Sequence, residues 1–324
     1  MPLALYVPIQ IQINNYALAK AGAPLSLVSK IKYAVEMTKP SQLGLLAFTS
    51  FCAYFAAGGP LSLVRLALLG LVAFFAIGGI TALNMVLEAD LDAKMNRTKN
   101  RPMPSGKLSY REGLAISIIM TIIGMAAALA INVYVLLSVV LAFIFDIPMY
   151  TLLLKRRSPL NIIFGGVAGV MQVLGGWAAG AGSYSMASLL LAIAVLMWIP
   201  MHIWFIVYYY YDDYRSANIP MYPVVAPPRK VSTVTITFLA LMLTSVWLYW
   251  AITSKDLIGG ILMTPLIALA SYKVYLFQRS PTREAAKSIF ILANPTLIVA
   301  FVFAPLAVPH IAAPLVQLAS LRLG

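Results

Sequence analysis

The sequence predicts an all-α membrane protein that crosses the bilayer many times, and both its composition and its hydropathy favour this fold class. Hydrophobic residues make up 61% of the 324 positions and charged residues 10%, against roughly 45–50% and about 25% in soluble domains. So few charges cannot cover the surface of a soluble protein of this length. The mean hydropathy is +0.89, and apolar stretches of about 20 residues, the length of a bilayer-spanning helix, recur along the chain.

Nine such stretches predict nine transmembrane helices. They lie at residues 41–58, 64–88, 112–132, 135–154, 160–180, 186–210, 232–252, 257–277 and 288–307. We therefore divide the chain into an N-terminal cytoplasmic or interfacial segment (1–36), a transmembrane domain (37–307) and a C-terminal tail (308–324). The tail is apolar, but its two prolines argue against a tenth span.

The distribution of basic residues predicts the orientation. With these spans, all but Arg65, Lys255 and Arg322 of the 23 lysines and arginines fall on one side. Positively charged loops stay in the cytoplasm, so we expect a multi-pass protein of the cell membrane with a cytoplasmic N-terminus and its C-terminus outside. The same bias explains the net charge of +13 without a nucleic-acid partner. A single cysteine, Cys52, excludes a disulfide framework and a multi-cysteine metal site.

Three polar residues at the cytoplasmic end of the second span are spaced to share one helix face. Asn84, Glu88 and Asp92 stand at i, i+4 and i+8, about 6 Å apart along a helix. Two carboxylates at that separation repel by roughly 3 kcal/mol at an effective dielectric constant near 20. The spacing therefore favours a bound cation, and ligands that are all oxygen favour Mg²⁺ over Zn²⁺.

A second acidic pair ends the sixth span, on the same side of the membrane. Asp212 and Asp213 follow a run of four tyrosines at 208–211. Because Mg²⁺ commonly binds through one or two carboxylates together with phosphate oxygens, two acidic clusters that face one cavity predict a Mg²⁺-bound diphosphate. The tyrosines themselves fit either a cavity that holds a cation or an interfacial aromatic belt.

Basic side chains adjoin the acidic clusters and predict an anion site. Lys94, Arg97 and Arg101 directly follow the first cluster, and Lys155 and Arg156 end the fourth span. Arginine binds phosphate oxygens bidentately and lysine acts as a point charge. For Lys155 and Arg156, the bias of basic residues towards the cytoplasm is an equally good explanation.

One further acid, Asp146, lies inside the fourth span just before Pro148. An ionisable residue within a membrane helix indicates function by default, although the sequence reveals no partner for it.

The first motif resembles that of a known family. Asn84-x-x-x-Glu88-x-x-x-Asp92 is similar to the Asn-x-x-x-Asp-x-x-x-Asp motif of the UbiA-type intramembrane prenyltransferases. The longer string NMVLEADLDAKMNRTKNRPMPSGKLS (84–109) looks like the protohaem IX farnesyltransferase (haem O synthase) branch of that family. Three more strings, at 37–43, 150–180 and 212–225, resemble the same branch in order and spacing.

The resemblance implies a fold and a reaction. It implies nine helices around a central cavity open to the lipid, with the active site at the cytoplasmic face. It implies transfer of a farnesyl group from farnesyl diphosphate, or of a longer prenyl group, to a vinyl group of haem B. Water is added in the same reaction, giving haem O for terminal oxidases. The implied cofactor is Mg²⁺, and the implied partners are haem B, the prenyl diphosphate, membrane lipids and a haem A synthase.

The resemblance also assigns roles to residues. The implied metal ligands are Asn84, Glu88, Asp92, Asp212 and Asp213. The implied catalytic residues are Asp92, Asp213, Arg97 and Arg101, and the implied cofactor- and substrate-binding residues are His202, Lys94, Lys155 and Arg156. His202, one of two histidines in the chain, is the expected contact to haem iron.

The sequence departs from the family pattern at two points. Glu88 stands where the wider family has Asp, and Pro200 lies one position earlier relative to His202 than is usual. A sister prenyltransferase acting on a quinone precursor, a chlorophyll-type alcohol or a glycerophospholipid would share both acidic motifs. A transporter would more typically carry its charges near the bilayer midplane in repeated halves.

Overall fold

The computed structural model describes residues 26–254 and 257–307, and all regular structure within these ranges is helical. The tail at 308–324 and the first 25 residues of the N-terminal segment lie outside them. The helices are α1 Leu27–Met37, α2 Pro40–Ala56, α3 Leu63–Leu87, α4 Ala89–Asp92, α5 Tyr110–Ile131, α6 Val133–Leu154, α7 Asn161–Ala181, α8 Met186–Tyr209, α9 Tyr211–Ser216, α10 Tyr222–Val225, α11 Pro228–Thr253, α12 Ile258–Phe277 and α13 Arg283–Phe303, which continues as a 3₁₀ turn over Ala304–Ala307.

Nine of these described helices are long and apolar, as the sequence predicts. Eight of them, α3, α5–α8 and α11–α13, have at least 18 residues and an apolar composition sufficient to cross a membrane. The remaining one, α2, has 17 residues, at the lower end of the length that spans a bilayer. The predicted all-α, polytopic fold is confirmed.

Two helices begin earlier than hydropathy predicts, and charge is the reason. α11 begins at Pro228 rather than at 232, and α13 begins at Arg283 rather than at 288. Their first turns contain lysine and arginine, which lower the local hydropathy but do not prevent helix formation. Proline suits the first position of α11, and the Thr282 hydroxyl accepts a hydrogen bond from Ala285 N at the start of α13.

The helices that carry the two acidic motifs lie at the centre of the bundle. In α3 and α8, 61% and 67% of the most apolar window is buried, and in α7 67%, against 33–39% in the other spans. α7 packs against α2, α6 and α8, while α8 also packs against α11 and α13. α13 in turn contacts α2, which closes the ring of helices. The acidic motifs therefore end the most enclosed helices.

Two local features of the helices affect the site. α8 continues as an α-helix through Pro200 to Tyr209, so the early proline does not interrupt the helix around His202. In α6, the second half, Phe145–Leu154, is π-helical. Such wide turns often occur at functional sites.

α1 is an amphipathic helix beside the bundle. Its apolar side chains Leu27, Val28 and Ile31 are 73%, 77% and 56% exposed, which suits a helix at the membrane surface. Lys30 pairs with Glu112 at the start of α5. The predicted boundary of the N-terminal segment at residue 36 falls inside this helix and stays a prediction.

Glycine allows α2 and α7 to approach each other closely. A Cβ atom added at Gly176 of α7 would lie 2.1 Å from the carbonyl oxygen of Ser50 in α2, closer than any real contact. Small residues permit such close packing between membrane helices.

We predict that Gly176→Ala destabilises the protein, because the methyl group forces α2 and α7 apart. Overpacking of this kind costs about 1–3 kcal/mol, so the detergent-solubilised variant should unfold at a lower temperature than wild type. The matched control is Gly169→Ala on the same helix, whose Cβ would lie 3.5 Å from Ile199 Cδ1, an ordinary contact. Equal unfolding temperatures for the two variants would contradict the prediction.

Candidate active site at the ends of α3 and α8

The first acidic motif crosses a break between two helices. α3 ends at Leu87, Glu88 adopts φ −105° and ψ 9°, and α4 begins at Ala89. The hydrogen bonds from Glu88 N to Asn84 O and from Asp92 N to Glu88 O nevertheless keep the helical pattern. Asn84, Glu88 and Asp92 therefore remain on one face, and their relative exposures are only 4%, 2% and 5%.

Each polar side chain of this face has a basic partner. Lys39 Nζ donates to Asn84 Oδ1 at 2.8 Å. Lys155 Nζ pairs with Glu88 Oε2. Arg101 Nη1 donates to Asp92 Oδ2 at 2.9 Å. The amide of Asn84 also donates to Thr151 Oγ1 in α6 at 2.8 Å, which ties α3 to α6.

Burial and neighbouring charges act differently on the two lysines. Burial, reinforced by the positive charge of Arg101, lowers the pKa of Lys39 to about 8. Burial alone would also lower the pKa of Lys155, but Glu88, Tyr150 and Asp92 outweigh it, so the pKa of Lys155 lies above its usual range. Lys155 is thus a permanent positive charge against Glu88.

The second acidic motif repeats the design of the first. α8 ends at Tyr209, Tyr210 adopts φ −106° and ψ 35°, and α9 begins at Tyr211. Asp213 is buried at 7% exposure and its Oδ2 accepts a hydrogen bond from the backbone N–H of Arg97 at 2.9 Å. The loop that follows the first motif therefore reaches the second.

Arg97 and Arg101 connect the two motifs through this loop. The Arg97 guanidinium donates to Tyr214 Oη at 3.3 Å and lies 5.3 Å above the centre of the Tyr210 ring. Thr98 Oγ1 donates to the carbonyl of Asp92 at 2.9 Å. Side chains that are 60 and more positions apart in sequence are thus brought to one end of the bundle.

Three predicted site residues pair elsewhere or lie exposed, apart from this cluster. Asp212 is exposed and pairs with Arg283. Arg156 makes a bidentate pair with Asp90, at 2.7 Å for each bond, and this hydrogen bonding raises its pKa. Lys94 is exposed. Their predicted roles as metal or substrate ligands stay predictions.

Lys39 is a site residue that the motifs in the sequence do not predict. It lies at the start of α2 with φ 52° and ψ 70° and bonds to Asn84. The signal was present in the string MTKPSQL (37–43), where the lysine directly precedes the proline that begins α2.

His202 lies in α8, away from the acidic motifs. Its ring stacks on that of Trp198, with centroids 4.6 Å apart and an interplanar angle of 15°. One ring nitrogen bonds to the backbone of Phe290, and the other, Nδ1, is buried and has no partner in the part of the chain that the structure describes. The predicted contact to haem stays a prediction.

The first motif fits a metal that is shared with a phosphate ligand. In residues 26–254 and 257–307, no three His, Cys, Asp or Glu side chains are grouped to hold a metal ion by themselves. Glu88 Oε1, however, is buried and has no hydrogen-bond partner among the described residues, and the other donors are carboxylate and amide oxygens. This is the donor set by which Mg²⁺ binds when phosphate oxygens complete its shell.

The candidate site combines buried carboxylates with basic residues at the ends of membrane helices. Comparison of the sequence with known protein families identifies the class of protein that carries this site. Residues 45–294 match the family model described as the UbiA prenyltransferase family. The chain belongs to the UbiA prenyltransferase family. The predicted enzyme class, a prenyltransferase, is thereby confirmed.

Curated relatives are similar over nearly their whole length. Proteins named protoheme IX farnesyltransferase from Aeropyrum pernix, Korarchaeum cryptofilum and Archaeoglobus fulgidus are 43%, 39% and 38% identical, over 88%, 82% and 83% of this chain and 95%, 90% and 95% of theirs. The resemblance to this branch of the family is confirmed.

Solved structures share the fold. A digeranylgeranylglyceryl phosphate synthase superposes with a TM-score of 0.68 at 21% identity, over 85% of this chain and 99% of its own. A UbiA homologue from Archaeoglobus fulgidus bound to GPP and Mg²⁺ superposes with a TM-score of 0.59 at 17% identity, over 84% and 99% of the two chains.

We predict that Lys155→Met destabilises the ligand-free protein, because it leaves the buried Glu88 carboxylate without its counter-charge. Breaking a buried pair from one side costs about 3–5 kcal/mol, so the thermal unfolding temperature in detergent should fall clearly. The double variant Lys155→Met/Glu88→Gln should recover much of the loss, since an amide needs no counter-charge.

The control for this cycle is Arg283→Met, which removes the exposed partner of Asp212 and should change stability little. A double variant as unstable as Lys155→Met alone would show that the lysine stabilises the fold by some other contact.

Proposed function

We propose that this protein transfers a farnesyl group from farnesyl diphosphate to a vinyl group of haem B, with addition of water, to give haem O. The observation that carries the proposal is the buried row of Asn84, Glu88 and Asp92, each opposed by a basic side chain, inside a membrane bundle. The names of the curated relatives supply the substrate pair. A C15 chain suits an apolar cavity, and a longer prenyl group would enter the same site.

The diphosphate is proposed to bind between the two acidic motifs. Asn84, Glu88, Asp92 and Asp213 would hold Mg²⁺, which when bound neutralises diphosphate oxygens and makes the diphosphate a better leaving group. The basic side chains that pair with the motif in the ligand-free protein, Lys39, Lys155 and Arg101, together with Arg97, are then free to contact phosphate oxygens.

Electrostatic stabilisation of the leaving group is the main contribution that we assign to these residues. Negative charge grows on the diphosphate oxygen as the allylic C–O bond breaks, and positive groups already in position need no reorganisation at that moment. The burial of Asn84, Glu88 and Asp92 keeps bulk water from the allylic cation before the vinyl group attacks.

We propose that His202 contacts the haem. Its Nδ1 is the ring atom without a partner, and the stacked Trp198 holds the ring orientation. Lys94 and Arg156, at the same end of the bundle, are proposed to bind the haem propionates or the diphosphate. Asp212 is proposed to join Asp213 as a metal ligand once Arg283 is displaced.

We also propose that both acidic motifs face the cytoplasm, with the N-terminus on that side and the C-terminus outside. The support is the one-sided distribution of lysine and arginine, which gathers at the ends where α3 and α8 finish. A haem A synthase is proposed to use the product in the same membrane.

We predict that the purified protein converts haem B, farnesyl diphosphate and Mg²⁺ to a haem heavier by one farnesyl group and one water, measured by liquid chromatography with mass detection. Asp92→Ala and Asp213→Asn should each lower the rate by at least about 100-fold, the usual cost of losing a charge-stabilising group. Asp212→Asn should lose far less, because Asp212 is exposed while Asp213 is buried.

The same assay separates the alternatives. Mg²⁺-dependent diphosphate release with a quinone precursor or lipid acceptor, and none with haem B, would indicate a sister prenyltransferase. A folded protein that releases no diphosphate with any acceptor would leave the metal site without a function.

We predict that His202→Ala weakens the binding of haem B to the detergent-solubilised protein and shifts its Soret absorbance, because an imidazole ligand to the iron is lost. Added free imidazole should restore the spectrum. An unchanged haem spectrum in the folded variant would assign His202 to the contact between α8 and α13 only.

A further inference from the structure

Asp146 is a carboxylate inside the bundle that the proposed diphosphate site does not use. It lies in the π-helical half of α6 and is half-buried. Lys39, Glu88 and Lys155 are the charged groups that act on its carboxylate, and its side chain forms no hydrogen bond or ion pair with any residue in the described part of the chain. A charge at this depth costs about 2.5–3.5 kcal/mol to insert, and no direct hydrogen-bond partner among the described residues offsets that cost.

The π-helical turns are what place Asp146 on the side of the site. Lys155 lies nine residues after Asp146 in the chain. In an α-helix nine residues make about two and a half turns, which would put the two side chains on opposite faces. In a π-helix each turn takes about four and a half residues, so nine residues make about two full turns. The bond from Lys155 N to Tyr150 O, at 2.8 Å, is of this wide type.

Asp146 lies deeper in the membrane than the first acidic motif. Thr151, which accepts a hydrogen bond from Asn84, lies five residues nearer the cytoplasmic end of α6, so Asp146 lies about one π-helical turn further from that end. In the proposed complex the diphosphate binds at the motif, and the allylic carbon bonded to it would extend towards the apolar interior. Asp146 would then lie at the level at which the carbon–carbon bond forms, below the phosphate groups.

We propose that Asp146 is the base that receives the proton of the water added during prenyl transfer, an inference that rests on the proposed function. The allylic C–O bond breaks and both electrons leave with the diphosphate. The π electrons of the vinyl group form the new bond to the allylic carbon, which leaves a positive charge on the vinyl carbon attached to the porphyrin. The water oxygen bonds to that carbon, and the Asp146 carboxylate takes the proton, which passes to solvent after product leaves.

The test is Asp146→Asn with haem B, farnesyl diphosphate and Mg²⁺, in which diphosphate release and each haem product are measured separately. We expect the hydrated product to fall by about 100-fold, the usual contribution of a base. Diphosphate release should stay within a few fold of wild type, giving free farnesol or a haem lighter by one water. Binding of farnesyl diphosphate, measured by titration calorimetry, should be unchanged.

Two further variants keep the test decisive. Asp146→Glu retains a carboxylate and should restore part of the hydrated product, and Glu112→Gln removes a charge at the start of α5 and should behave as wild type. Hydrated product that keeps pace with diphosphate release in Asp146→Asn would overturn the proposal, as would equal loss of both. If wild type itself forms no haem product, the proposed function fails, and this role of Asp146 fails with it.

Discussion

The structure depends on balancing charge inside a membrane bundle. Glu88 and Asp92 are almost completely buried, and burying a carboxylate without a partner costs several kcal/mol. Lys155 and Arg101 supply that partner from two other segments of the chain. The basic groups that form these ion pairs are the same ones that we assign to substrate binding. Substrate binding would therefore exchange their carboxylate partners for phosphate oxygens. Stability and substrate affinity are therefore coupled at these residues.

Departures from regular α-helix position the functional groups. A break at Glu88 and another at Tyr210 let α3 and α8 end in short helices that turn Asp92 and Asp213 inward. In α6, π-helical turns bring Asp146 onto the face of Lys155. These three departures lie beside polar residues of the candidate site, and π-helical segments often occur at functional sites.

The sequence predicted the first motif because the i, i+4, i+8 spacing of Asn84, Glu88 and Asp92 needs only local helix geometry. It did not predict which basic residue opposes each of them. Lys39, Arg101 and Lys155 reach the motif from three separate segments, and their assignment depends on packing between helices. For the same reason, Asp212 and Asp213 are equivalent in the sequence, whereas the structure exposes Asp212 and buries Asp213.

By itself the sequence determined the membrane environment, the helices and both acidic motifs, because hydropathy, helical periodicity and charge bias are properties of neighbouring residues. Only the tertiary structure decided which charges meet and that Arg97 reaches Asp213 through its backbone N–H. These contacts join residues that are far apart in the chain. A charge loses its water only when the helices pack, and only then does the cost of burying it favour one particular partner over another.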